Sequence, residues 1–178
     1  STMENIINTG VISGTGSSSN GNGGGSGIYN NSGTIGNIEN TGLISGYGTS
    51  SSRSGDGSGI FNDSGVKKMG NIINTGVISG TGNSSNSSGS GIVNYRLGTM
   101  GNIENAGLIS GYGTSSSGSG DGSGIHNDSS CKIGDITNTG VISGFGSNAG
   151  KGYGIYNSNT IGAITNTGVI YGTDNAIK

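Results

Sequence analysis

The one histidine, His126, stands in the stretch GIHNDSSC beside Asp128, Ser129, Ser130 and the one cysteine, Cys131. Imidazole, carboxylate and hydroxyl are the parts of a nucleophilic hydrolase, provided one group orients the ring and the ring faces the nucleophile. Aspartates recur in SGDGSGIFND and SGDGSGIHND as Asp56, Asp63, Asp121 and Asp128. Carboxylates beside glycine turns are a calcium donor type, which needs roughly six to eight oxygens in one compact shell. Lys67, Lys68, Arg96 and Lys132 follow the motif G-I-x-N in successive segments and form the basic grouping of the chain. Such a cluster suits an anionic glycan or a phosphate; equally, lysines in such turns discourage edge pairing between chains.

What these residues can reach depends on the period of the chain. Residues 37–60, NIENTGLISGYGTSSSRSGDGSGI, return at 102–125 with two changes, Thr41 to Ala106 and Arg53 to Gly118. Between and around these copies the same pattern recurs more loosely. N-I-x-N places Ile6, Ile38, Ile72, Ile103, Ile136 and Ile164 in one column, with Asp135 and Ala163 as the leading residue of the last two. G-[VL]-I-S-G places Ile12, Ile44, Ile78, Ile109, Ile142 and Ile170 in a second, and G-I-x-N places Ile28, Ile60, Ile92, Ile125 and Ile155 in a third. Internal repetition with a period of 20–50 residues points to a solenoid.

The apolar segments are short, β-branched and bounded by Gly, Asn, Thr and Ser, without a helical period. Three short strands per repeat that return to the same place describe a right-handed, single-stranded parallel β-helix of about 31 residues per coil, each coil pairing with the next at ~4.8 Å. Five full coils and a partial sixth are expected, at approximately 3–34, 35–68, 69–99, 100–132, 133–160 and 161–178. Such a rod reconciles 42 glycines and 28% hydrophobic residues with a folded chain, because each repeat buries its face on its neighbour. The absence of proline fits continuous sheets.

Equivalent residues then stack. The isoleucines face inward, supplemented by Met3, Ile35, Met69, Met100, Ile133 and Ile161. Asn8, Asn40, Asn74, Asn105, Asn138 and Asn166 form one structural ladder of side-chain amides; Asn30, Asn62, Asn94, Asn127 and Asn157 form another. Asn is also suited to left-handed turns, and the Gly after Asn-Thr is expected to supply a positive φ. The [VL] position (Val11, Leu43, Val77, Leu108, Val141, Val169) is expected to tuck into the core. The Gly/Ser stretches are expected to be loops projecting from one flank.

This geometry weakens each candidate chemistry. His126 occupies the x of G-I-x-N and points outward, in a column with Tyr29, Phe61, Val93 and Tyr156. That column is the candidate contact surface, through Tyr29, Phe61, His126 and Tyr156. Equivalent aspartates fall in alternate coils, ~10 Å apart, and the coils do not match the nonapeptide calcium repeats of RTX proteins. The Thr column (Thr9, Thr41, Thr75, Thr139, Thr167) lacks the paired second row of an ice-binding face and is broken by Ala106. Cys131 reads as an incidental turn residue. A net charge of −2 gives no footprint for nucleic acid, and no apolar run approaches the ~18 residues of a membrane span. No catalytic residue, metal site or cofactor is expected.

The I-x-N-x-G-x-I-x-G unit with Gly/Ser stretches, over residues 3–178, resembles the passenger region of Gram-negative (type V) autotransporter adhesins, the haemagglutinin-like and pertactin-like β-helices. The resemblance implies secretion through an outer-membrane β-barrel that this chain lacks, display on the bacterial surface, and a non-enzymatic role as adhesin or stalk in adhesion, aggregation or biofilm. Implied partners are a host-cell surface, a matrix protein or glycan, or a second copy, with end-to-end contacts at open sheet edges. A carbohydrate-binding or polysaccharide-degrading β-helix is the alternative, with an ice-binding solenoid behind it.

Overall fold

The computed structural model describes residues 1–63, 68–115 and 118–178. They form a parallel β-solenoid without an α-helix. Each coil contains four principal strands, one more than the repeat suggested. In the first coil these are β1 (Thr2–Met3), β2 (Ile6–Asn8), β3 (Val11–Ser18) and β4 (Gly25–Asn31). The added strand is β1, only two residues long, so its [TK]-[MI] signal is too short to separate from the turn around it. Equivalent strands pair in parallel to build four sheets along the axis, named here first to fourth after the strand of the first coil that belongs to each. The coil-to-coil offsets are 32, 34, 31, 33 and 28 residues, the spacing of the Ile columns.

Every sheet contributes one apolar column. In the interior coils, Ile35, Met69, Met100 and Ile133 of the first sheet meet the isoleucines of the other three in one continuous core. Full burial of one such side chain contributes about 1.5–3 kcal/mol. In the first coil Met3 is exposed and Ile6 and Ile12 are only partly buried.

The [VL] column does not join this core. Val11 and Val169 are exposed, and Leu43, Val77, Leu108 and Val141 are half-buried. The chain bends before this position, at Asn-Thr-Gly, so ordinary alternation already runs through the third sheet: Ile inward, its predecessor outward.

The Gly/Ser stretches are not projecting loops over most of their length. β3 runs to Ser18 and β4 begins at Gly25; in the next coils the paired strands are Leu43–Ser50 with Gly57–Asp63, and Val77–Asn83 with Ser87–Tyr95. The third and fourth sheets pack against each other here mainly through glycine, with Ser87 of the fourth sheet reaching Thr114 O of the third at 3.0 Å. A Cβ on Gly46 or Gly80 would lie 1.9 Å from the carbonyl oxygen of Ser58 or Ser90. From the opposing sheet, a Cβ on Gly57 would lie 1.9 Å from the Thr81 oxygen. Sheets separated by ordinary side chains stand ~10 Å apart; bare backbone brings these closer. Each coil is therefore an isoleucine-filled half joined to a thin glycine-faced half.

The Gly after Asn-Thr follows the same rule. Gly42, Gly76, Gly107, Gly140 and Gly168 do not have the expected positive φ. Their reason is contact with the preceding coil: a Cβ on Gly76 would lie 2.1 Å from the Gly42 oxygen. The ladder asparagines are not left-handed either. Among the described non-glycine residues, positive φ occurs at Ser32, Arg96, Leu97 and Ser130, in turns after G-I-x-N, and at Asn86 and Asn148 near the opposite tips.

Close approach gives a sharp prediction. Gly76→Ala should destabilise the chain by about 3 kcal/mol, the upper end of ordinary overpacking costs. Gly10→Ala, at the same motif position, meets nothing within 4 Å in this 178-residue chain and should be nearly neutral. Guanidinium unfolding of both variants checks the contrast; equal losses would contradict it.

Candidate functional site

Both asparagine ladders form as the sequence implied. Asn8 donates to Asn40 at 2.8 Å, and the chain continues through Asn74, Asn105 and Asn138 to Asn166. Asn30 donates to Asn62, then Asn94, Asn127 and Asn157 follow. Backbone carbonyls take further amide donations. Asn40 Nδ2, for example, reaches Gly42 O at 3.1 Å and Val77 O at 3.0 Å beside its 2.8 Å bond to Asn74. No enclosed side-chain nitrogen or oxygen among the described residues lacks a partner.

A third ladder runs beside these two. Asn5, Asn37, Asn71, Asn102 and Asp135 each accept the main-chain N–H one coil further on, at 2.8–2.9 Å. A signal was present. Asp135 replaces Asn where only an acceptor is used, whereas the amide ladders need a donor and an acceptor at every step and contain Asn throughout.

The aromatic column lies on the outer face of the fourth sheet. Tyr29, Phe61, Val93, His126 and Tyr156 stand in direct register. Tyr29 and Phe61 meet edge to face at 5.5 Å between ring centres, and His126 and Tyr156 lie 4.7 Å apart. Val93, with 8% of its surface exposed, forms a low point between the two aromatic pairs. Tyr29 is steadied by Asp63, which accepts its hydroxyl at 3.4 Å and pairs with Arg96 at 3.8 Å.

Beside this column runs a row of serines. Ser26, Ser58, Ser90 and Ser123 occupy one register position, which Tyr153 takes in the next coil. The rings and serines line two concave stretches. One, of about 560 Å³, includes Tyr29, Phe61, Ser26, Ser58, Asp56 and Thr15. The other, of about 250 Å³, includes Ser90, Ser123, His126, Tyr153, Tyr156 and Asp121. They follow one another along the same face. A second outward set, Tyr47, Tyr112 and Phe145, decorates the third sheet; Tyr112 and Phe145 stack at 4.5 Å.

The remaining candidates do not converge. His126 is half-buried rather than freely exposed, and makes no hydrogen bond to a serine or carboxylate among the described residues. Burial lowers its pKa, while Asp128 and Asp121 oppose that shift. Asp56 and Asp121 share one column and accept the main-chain N–H of Ser88 and Lys151, each at 2.7 Å. No three His, Cys, Asp or Glu among the described residues gather as a metal site. Lys68 and Lys132 are exposed in one column of the first sheet but are separated by Thr99. Arg96 is engaged with Asp63 and lies over the Tyr95 ring, and Lys67 falls outside the described residues. Among the described residues, Lys68, Arg96 and Lys132 of the expected basic cluster do not form one site. Cys131 is fully buried, and burial pushes its thiol pKa up, which makes it a poor nucleophile at neutral pH.

No protein family, curated protein or solved structure matches the chain significantly.

The half-buried imidazole generates a pH prediction. Below about pH 6.5, the ordinary imidazole value, the unfolded chain takes up a proton that the folded chain binds less readily, so His126 reduces stability as pH falls. His126→Phe, copying Phe61 of the same column, should flatten that loss. Unfolding midpoints between about pH 7.5 and about pH 5 test it; an unchanged pH slope in the variant would contradict it.

Proposed function

We propose that this chain is a non-enzymatic, surface-displayed β-solenoid that makes adhesive contact through the outer face of its fourth sheet. The observation that carries the reading is the concave path along that face, lined by Tyr29, Phe61, His126 and Tyr156 beside a row of serines. Exposed aromatic side chains combine a large apolar surface with, in Tyr, a polar tip, and are enriched where proteins bind. The sheets hold this surface rigid through main-chain pairing and two amide ladders, so partner binding orders little additional chain. The autotransporter-like repeat supports display on a Gram-negative surface, with host cells, matrix proteins or glycans as partners. It also supports a pure stalk, whose role is reach alone.

Binding of the labelled chain to intact host cells and immobilised matrix proteins separates these roles. Adhesion predicts saturable binding that is lost in Tyr29→Ser/Phe61→Ser and retained in Tyr112→Ser on the third sheet. Absence of binding by all three proteins would overturn the adhesive role and leave the stalk.

A further inference from the structure

Ser58, Ser90 and Ser123 are 5%, 4% and 4% exposed, yet none of their hydroxyls has a hydrogen-bond partner among the described residues. Their side chains are packed by neighbours on most sides, which leaves the hydroxyl as the group that faces outward. No fully enclosed side-chain oxygen among the described residues is unpartnered, which means that these three open onto the concave path that they line. The row repeats once per coil, at ~4.8 Å along the axis. Rings wall it on one side: Tyr29 and Phe61 near one end, His126 and Tyr156 near the other.

We propose that this path binds a neutral linear polysaccharide lying along the solenoid axis. The inference deepens the adhesive reading above and rests on it. A serine hydroxyl both donates and accepts, and so does every sugar hydroxyl, which lets successive sugar residues meet successive serines. The apolar faces of the sugar rings then rest on the aromatic walls. Charge selects a neutral chain. Asp56 and Asp121 are committed to main-chain N–H groups, and Lys151 is paired with Asp174 at 3.2 Å. Lys178 lies over the Tyr153 and Tyr156 rings at one end of the path. A polyanion would meet Asp56 on the first stretch, which has no lysine or arginine in its lining, and would find Lys151 and Lys178 beside Asp121 only on the second. An extended peptide is disfavoured because peptides join a sheet through a free edge, whereas this path lies on a sheet face whose strands are already paired.

Affinity electrophoresis of the whole chain through gels containing a panel of neutral linear glucans and mannans, with a polyuronate alongside, tests the inference. Retardation by at least one neutral polymer and not by the polyuronate is expected. Tyr29→Ala, which alters a ring already 55% exposed, should weaken it about tenfold, and Ser90→Ala about fivefold, with circular dichroism unchanged. Retardation by none of the neutral polymers, preference for the polyuronate, or equal retention by both variants would overturn it. Cell binding that persists without polysaccharide binding would overturn this inference alone and leave the adhesive reading standing.

Discussion

The fold depends on one constraint: each side chain at a bend must satisfy its equivalents in the coils on both sides. The asparagines express this most clearly. Asn74 accepts from Asn40 and donates to Asn105, and its amide also bonds Gly76 O and Leu108 O. Such an amide is fully buried, so any missed partner costs about 1–3 kcal/mol. A slip of a single coil by one residue would remove several of these bonds together and turn the isoleucines outward. The ladders thus supply register, while the isoleucine columns supply most of the burial free energy.

Glycine performs the opposite task. Where asparagine links coils by what its side chain adds, glycine lets the third and fourth sheets meet by having none. This explains how a chain so poor in hydrophobic residues can fold with so little enclosed space. It also places the outer side chains of the fourth sheet on a thin, rigid support. The serine row and the aromatic column inherit the coil spacing of that support, which gives the candidate binding path its regularity.

Much of this was legible in the repeat. The Ile and Asn columns, the parallel stacking and the outward position of His126 follow from period and alternation alone. The differences share a physical origin: local residue chemistry points one way where contacts between coils decide. Gly76 resembled a turn glycine, yet its neighbour is the Gly42 carbonyl. The Gly/Ser stretches resembled loops, because the signal for a strand is normally a side chain and these strands pack through its absence. Val77 resembled core, yet alternation leaves it half-exposed. The serine row is visible in sequence as the Ser of G-S-G-I-x-N, but its place beside the aromatic column depends on how the strand runs through the glycines on either side of it.

The most direct measurement of the central claim is hydrogen exchange of the asparagine side-chain amides, resolved by nuclear magnetic resonance. The Nδ2 protons of Asn62, Asn74, Asn94 and Asn105, in the interior of both ladders, should exchange only on global unfolding, as slowly as the amides of the central strands. Exposed Asn20, outside the strands, should exchange freely. Fast exchange at the four ladder positions, with the strand amides still protected, would contradict the account, since the coils would then hold their register without the ladders.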